Sequence, residues 1–226
     1  MTKNSKYKLP EYMQFVSNKE YMSNKAYNVF DNQILVNLIN LGYSDKINEI
    51  IFEEITQVDS ILQLGNVYGN QISELANRLS IKTCYDIVDI SPVQVDMLKS
   101  KMLDKFPNVN IIKQDAEDKT DKKYDVIICN KLLHDLPDRK KMRVIEAALL
   151  NLSSEGKLIF FEYNKPVIWH PLKFIVKTIN RLYKPFLESL WNKEIRDFSV
   201  SKSKYNWKKT KYYGEYFQKV VVTKKI

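Results

Sequence analysis

The chain has 226 residues, 44% of them hydrophobic and 28% charged, a balance that excludes a disordered segment and allows one full core. Its net charge is +9, carried unevenly: residues 163–226 hold 15 Lys/Arg against 4 Asp/Glu, and residues 1–162 hold 21 against 23. A basic third on a near-neutral body predicts a surface that meets something anionic, while no apolar run approaches the length of a membrane span.

In chain order, the start "MTKNSKYKLP" lacks the apolar core of a secretory signal, and residues 1–20 read as a flexible lead-in. A helical period runs from Tyr21 to Leu41, with Val29, Phe30, Ile34, Leu38 and Leu41 on one face. Gly42 reads as its C-cap and Ser44 as the N-cap of a helix over Asp45 to Thr56. From "SILQL" onward, strands and helices alternate. "TCYDIVDIS", "VNIIKQD", "YDVIICN" and "GKLIFFEY" have strand character. "NQISELANRLS", "PVQVDMLKSKMLDKF" and "DRKKMRVIEAALLNL" have helical character, with Pro92 at a permitted first-turn position. "YYGEYFQKVVVTKK" reads as the turn and last strand of a C-terminal hairpin. This order predicts an α/β, Rossmann-like, mostly parallel seven-stranded sheet. Residues 1–57 form an added helical extension, and 58–226 form the main domain. Cys84 and Cys129 each lie in an apolar run, as core thiols of a reducing compartment do.

The stretch "ILQLGNVYGN", residues 61–70, runs from a strand into a turn with two of the chain's five glycines. In a doubly wound sheet, ligands sit beyond the carboxyl ends of the strands, where such a loop lets a nucleoside approach the backbone. Asp89 ends the second strand at roughly the offset at which an acid takes a ribose hydroxyl pair. It is followed by Ile90. Asp115 ends the third strand, where a carboxylate can accept from an exocyclic amine, and Ala116 comes next. "ICNKLLHDLPD", which contains Asn130, His134 and Asp135, is expected to line the same cleft after the fourth strand.

The ordered set Gly65, Gly69, Asp89, Asp115 and "YDVIICNKLLHDLPD" resembles the class I S-adenosylmethionine-dependent methyltransferases over about residues 58–165. The resemblance implies that Asp89 holds the ribose, that Asp115 and Ala116 hold the adenine, and that Gly65 to Gly69 flank the methionine part. The sequence departs from that class twice. Gln63 stands where an acid helps hold the methionine ammonium, and it offers hydrogen bonds without charge. Val67 stands where a glycine supplies positive φ.

A narrower set runs in the same order over nearly the whole chain: "YMSNKAYNVFDNQILVNLINLGYSDKI", "LQLGNVYG", "VDISPVQ", "LLHDLP", "WHPL", "LWNKEI" and "YYGEYFQKVVV". It resembles the RquA family of rhodoquinone biosynthesis, which also carries Gln before the loop and Val-Tyr within it. Gln63, Val67 and Tyr68 are then family traits. The resemblance implies that ubiquinone is the substrate, that an amino group replaces a ring methoxy, and that S-adenosylmethionine is the nitrogen source, aided by a divalent metal, Mn2+. If the amine itself reacts, an acid fixing it as an ammonium is a hindrance, and this accounts for Gln63.

Only His134 and His170 offer imidazoles, as proton shuttles or metal ligands. Asp135 and Glu162 are the further candidates for a hard cation. Tyr163, at the end of the fifth strand, is placed to enclose a quinone ring.

Within 166–198, Leu172, Ile175, Val176, Ile179, Leu182, Tyr183, Phe186 and Leu190 follow helical spacing, with Lys173, Lys177, Arg181 and Lys184 beside them. No acid falls between Glu162 and Glu188. An apolar stripe with basic flanks is what lies in a bilayer interface; Pro185 kinks or splits it. The expected location is peripheral, on the cytoplasmic side of an energy-transducing membrane. Three other readings stand beside amino transfer to a quinone: an ordinary small-molecule methyltransferase, a nucleic-acid methyltransferase suggested by the aromatic-studded basic tail, and a non-catalytic cofactor-binding protein. "CNKL" lacks the Asn-Pro-Pro-aromatic clamp of amino-methylating nucleic-acid enzymes, so no nucleic-acid partner is expected.

Overall fold

Alternating apolar runs and amphipathic helices can bury their faces only by layering helices on both sides of a sheet. The computed structural model describes residues 10–14, 23–165 and 186–225 and shows that arrangement. Three short helices, α1 (Asn24–Phe30), α2 (Gln33–Ile39) and α3 (Ser44–Phe52), precede the sheet. Then follow β1 (Ser60–Leu64), α4 (Gln71–Arg78), β2 (Cys84–Asp89), α5 (Pro92–Met102), β3 (Val109–Lys113), β4 (Tyr124–Asn130), α6 (Asp138–Asn151) and β5 (Leu152–Tyr163). The short helix α7 (Leu187–Asn192) leads to β6 (Tyr205–Tyr212) and β7 (Phe217–Lys224).

The sheet has seven strands in the order β3-β2-β1-β4-β5-β7-β6. β1 to β5 are parallel, and β7 inserts antiparallel between β5 and β6. The chain reverses direction across the sheet between β1 and β4, so a crevice opens beyond their carboxyl ends. Ile61, Ile87, Ile127 and Phe160 are fully buried at the sheet's centre, as strands covered on both faces require.

The helical period over Tyr21–Leu41 resolves into two helices. Asn32 breaks it: its side chain accepts from the amides of Ile34 and Leu35 and caps α2. The face read as a shared apolar stripe is largely outside the core, with Ile34 81% and Leu38 71% exposed. Gly42 is not the C-cap of α2; Asn40 is, and the chain turns away through Leu41 at φ +56 and Gly42 at φ +81, whose amide donates to the Asn37 carbonyl at 2.8 Å. Ser44 does not cap α3; its hydroxyl accepts from Asn40 Nδ2 at 2.9 Å. "YNWKKTK", read as basic tail, is strand β6, whose alternating exposure is that of an edge strand with one wet face. Most of the 166–198 amphipathic insertion and His170 lie outside the described residues.

Candidate cofactor site

Strand β1 is followed by Gly65 at φ +82, and the loop ends in Gly69 at φ +88. Both conformations exclude ordinary side chains at little cost only for glycine. Val67 is not among the positive-φ residues. The loop makes its turn with two glycines, so no third is needed at Val67.

Beyond the strand ends lies a cleft lined by Gly65, Asn66, Asp89, Ile90, Asp115, Ala116, Asn130 and Asp135. The sequence thus placed six of its cofactor candidates together: Gly65, Asp89, Ile90, Asp115, Ala116 and Asn130. Asp89 accepts from the Asn66 amide at Oδ2 and the Ser91 amide at Oδ1, each at 2.8 Å. Burial, with a smaller push from Asp115, raises its pKa to about 6 against those two hydrogen bonds. Each oxygen keeps a further lone pair for a ligand hydroxyl. Asp115 is gripped by Lys140 at 2.5 Å, which also reaches Glu117 at 2.8 Å.

Tyr68 and Gly69 face away from this cleft, toward the N-terminal helices. Tyr68 takes the Gln94 side-chain amide at 2.6 Å and packs on Tyr27 and Phe30. Gly69 donates to Asp31 at 2.8 Å, and its carbonyl accepts from Lys101 at 2.7 Å. Val67 packs against the core. These three shape the loop from behind. Gln63 is buried at 1% exposure, paired in register with Ile87 and Ile128. Its Nε2 has no hydrogen-bond partner among the described residues, and neither has Asn130 Oδ1. Buried orphan polar atoms are rare and call for a ligand or water.

His134 is buried between two carboxylates. Its Nδ1 lies 3.1 Å from Glu162, and its Nε2 lies 3.3 Å from Asp135. Glu162 also accepts from the Leu133 amide at 2.9 Å and the Tyr163 amide at 3.1 Å. Its oxygens are committed to N–H groups, which does not fit a cation ligand. Among the described residues no group of three or more His, Cys, Asp or Glu could hold a metal ion. Tyr163 does not border the cleft. Its ring packs edge-on to His134 at 4.9 Å and against Tyr216 and Phe217, and burial raises its hydroxyl pKa above the usual range.

Sequence reasoning missed two contributors. Tyr12 and Met13, read as lead-in, border the cleft from a short 3-10 turn at Glu11–Gln14. Burial, then Asp115 and Glu117, raises the Tyr12 pKa. An isolated aromatic in a polar segment gives no periodic signal. Lys131, within the stretch after the fourth strand expected to line the cleft, does line it; it adopts φ +52 and hydrogen-bonds Asn40 through Nζ. Strained backbone of this kind clusters at functional loops, and its signal was the strand-end position after "ICN".

Residues 61–156 match the family model described as "Methyltransferase domain". No curated protein matches the chain. Among solved structures, an O-methyltransferase family protein from Burkholderia thailandensis shares 14% identity at a TM-score of 0.68, covering 93% of this chain and 63% of that one. Mitomycin 7-O-methyltransferase gives 11% and 0.66, covering 96% and 61%. The chain thus spans less than two thirds of either. The N-methyltransferase NodS from Bradyrhizobium japonicum WM9, in complex with S-adenosyl-l-homocysteine, gives 11% and 0.61, covering 95% and 98%. The fold is the Rossmann-like class I methyltransferase fold.

Proposed function

We propose that this chain, which carries a methyltransferase domain on the class I S-adenosylmethionine-dependent fold, converts ubiquinone to rhodoquinone with S-adenosylmethionine as amino donor. The observation that carries the reading is Gln63, a buried neutral amide with an unpartnered donor where the class carries an acid. The cleft supports binding of the adenosine end. Asp89 offers two free lone pairs to a ribose, Asp115 and the Ala116 backbone face the base, and Gly65 and Ile90 let the ligand lie close to the strand ends. Val67, Tyr68 and Gly69 hold the loop in shape behind them.

S-adenosylmethionine supplies a primary amine to this reaction. Gln63 can hydrogen-bond near that end without a charge that would keep it an ammonium. Asp135 borders the cleft and contacts His134, which Glu162 holds from the other side. That row gives a proton a path away from the cleft. Tyr163 fixes the imidazole by packing.

Reaching a lipid-borne quinone calls for a membrane face. The basic stretch over 166–198 is the candidate, and exposed Ile34 and Leu38 on α2 extend the apolar surface available. Within the described residues no helix is long and apolar enough to cross a membrane; the mode proposed is peripheral, on the cytoplasmic side.

A conventional methyl transfer to a quinone or another small molecule is the second reading, favoured by the domain match and by the O- and N-methyltransferase neighbours. Mass spectrometry separates the two. The protein is incubated with ubiquinone and S-adenosylmethionine labelled at the amino nitrogen, with and without manganese. A lighter quinone carrying the label supports amino transfer. A heavier, methylated product from a quinone precursor supports the second reading and ends the first.

A further inference from the structure

Asn130 ends a row of buried amides that leads away from the cleft. Its Nδ2 donates to Gln71 Oε1 at 2.8 Å, and Gln71 Nε2 donates to Asn48 Oδ1 at 3.0 Å. Asn48 Nδ2 then donates to Glu74 Oε2 at 2.9 Å and to Asn70 Oδ1 at 3.2 Å. Asn130, Gln71 and Asn48 are each about nineteen-twentieths buried, at 4% exposure.

A row of amides can run in either direction, because each has a donor end and an acceptor end. A carboxylate accepts only. Glu74 therefore fixes the direction: Asn48 must turn its NH2 to Glu74, Gln71 its NH2 to Asn48, and Asn130 its NH2 to Gln71. What remains is Asn130 Oδ1, an unpartnered acceptor on a residue that lines the cleft. On the neighbouring strand Gln63, whose register partner is Ile128, shares that sheet face and carries the unpartnered donor Nε2. An α-amino acid has the complementary pair: an amine that donates and a carboxylate that accepts.

We propose that Asn130 Oδ1 accepts from the α-amine of the cofactor and Gln63 Nε2 donates to its carboxylate, and that Glu74, acting through Asn48 and Gln71, is the positioning residue that sets this polarity. The proposal rests on the cofactor reading above. It replaces the missing acid at Gln63 with a neutral acceptor, Asn130 Oδ1, whose direction is set by Glu74 on α4. A neutral acceptor binds an amine whether or not it carries the extra proton.

The test is calorimetric binding of two ligands, S-adenosylhomocysteine and 5′-methylthioadenosine, which lacks the amino acid end. Glu74→Gln gives the row a second donor and frees it to reverse. We expect this variant to bind S-adenosylhomocysteine about 5–10-fold more weakly, the effect of one lost or misdirected hydrogen bond, with methylthioadenosine binding unchanged. Asn130→Asp supplies an acceptor that needs no orientation, so the double variant should return to within about twofold of the Asn130→Asp single variant. Parallel losses for both ligands would indicate a merely structural role and overturn the proposal. So would wild-type affinity for S-adenosylhomocysteine in Glu74→Gln. A wild-type protein that binds neither ligand overturns the cofactor reading itself, a result distinct from failure of the relay alone.

Discussion

Two carboxylates three positions apart on β2 illustrate how surroundings decide chemistry. Both are buried. Burial pushes Asp86 up, but hydrogen bonds from Lys122, Asn110, Tyr124 and Cys84 outweigh it and hold its pKa below the usual value. Asp89 has two backbone amides and no cation, and burial wins, to about 6. A carboxyl with a raised folded pKa is favoured in its protonated form by folding. Its contribution is therefore present at low pH and is lost as pH rises from 3.8 to about 6, an interval worth up to about 3 kcal/mol. Thermal melts of the wild type and of Asp89→Asn should show the stability difference shifting against the wild type across that window and levelling above it. Parallel curves would remove Asp89 as its source. At Gln63, the amino-transfer reading makes a second prediction. Gln63→Glu should lower turnover at saturating S-adenosylmethionine at least tenfold, because a buried anion beside an amine favours the ammonium. Unchanged turnover would sink the account given of that residue.

At the scale of elements, the loop after β1 is held by the helices that precede the sheet. A Cβ on Gly69 would lie 2.6 Å from Gln33 Oε1 and 3.2 Å from Val36, whereas one on Gly42 would meet nothing within 4 Å. Both glycines have positive φ, so both alanine variants carry the backbone cost of about 1 kcal/mol. Gly69→Ala adds overpacking of about 1–3 kcal/mol. Urea denaturation should therefore rank Gly69→Ala well below Gly42→Ala in midpoint. Equal losses would show that α2 yields freely and does not clamp the loop. The same packing explains why the expected apolar stripe over Val29 to Leu41 does not face the core: the polar residues Asp31, Gln33 and Asn40 within it bind the loop and Lys131. The apolar residues between them are left partly or largely exposed.

Across the whole molecule, the alternation of strands and helices, the apolar strand interiors and the acids at strand ends were all legible from residue order, because each depends on local period and on chemistry fixed by side-chain type. That was enough to place Asp89, Asp115 and Asn130 at one crevice, since a parallel sheet puts every strand's carboxyl end on the same side. It was not enough to join residues far apart in sequence. The turn carrying Tyr12, the row from Glu74 to Asn130, the enclosure of His134 between Asp135 and Glu162, and the retreat of Tyr163 into an aromatic cluster depend on which elements become neighbours. Sequence determined the fold and the identity of the charged groups at its open end. Only tertiary structure decided the orientation and surroundings of each, because hydrogen-bond direction and burial are properties of contacts between segments.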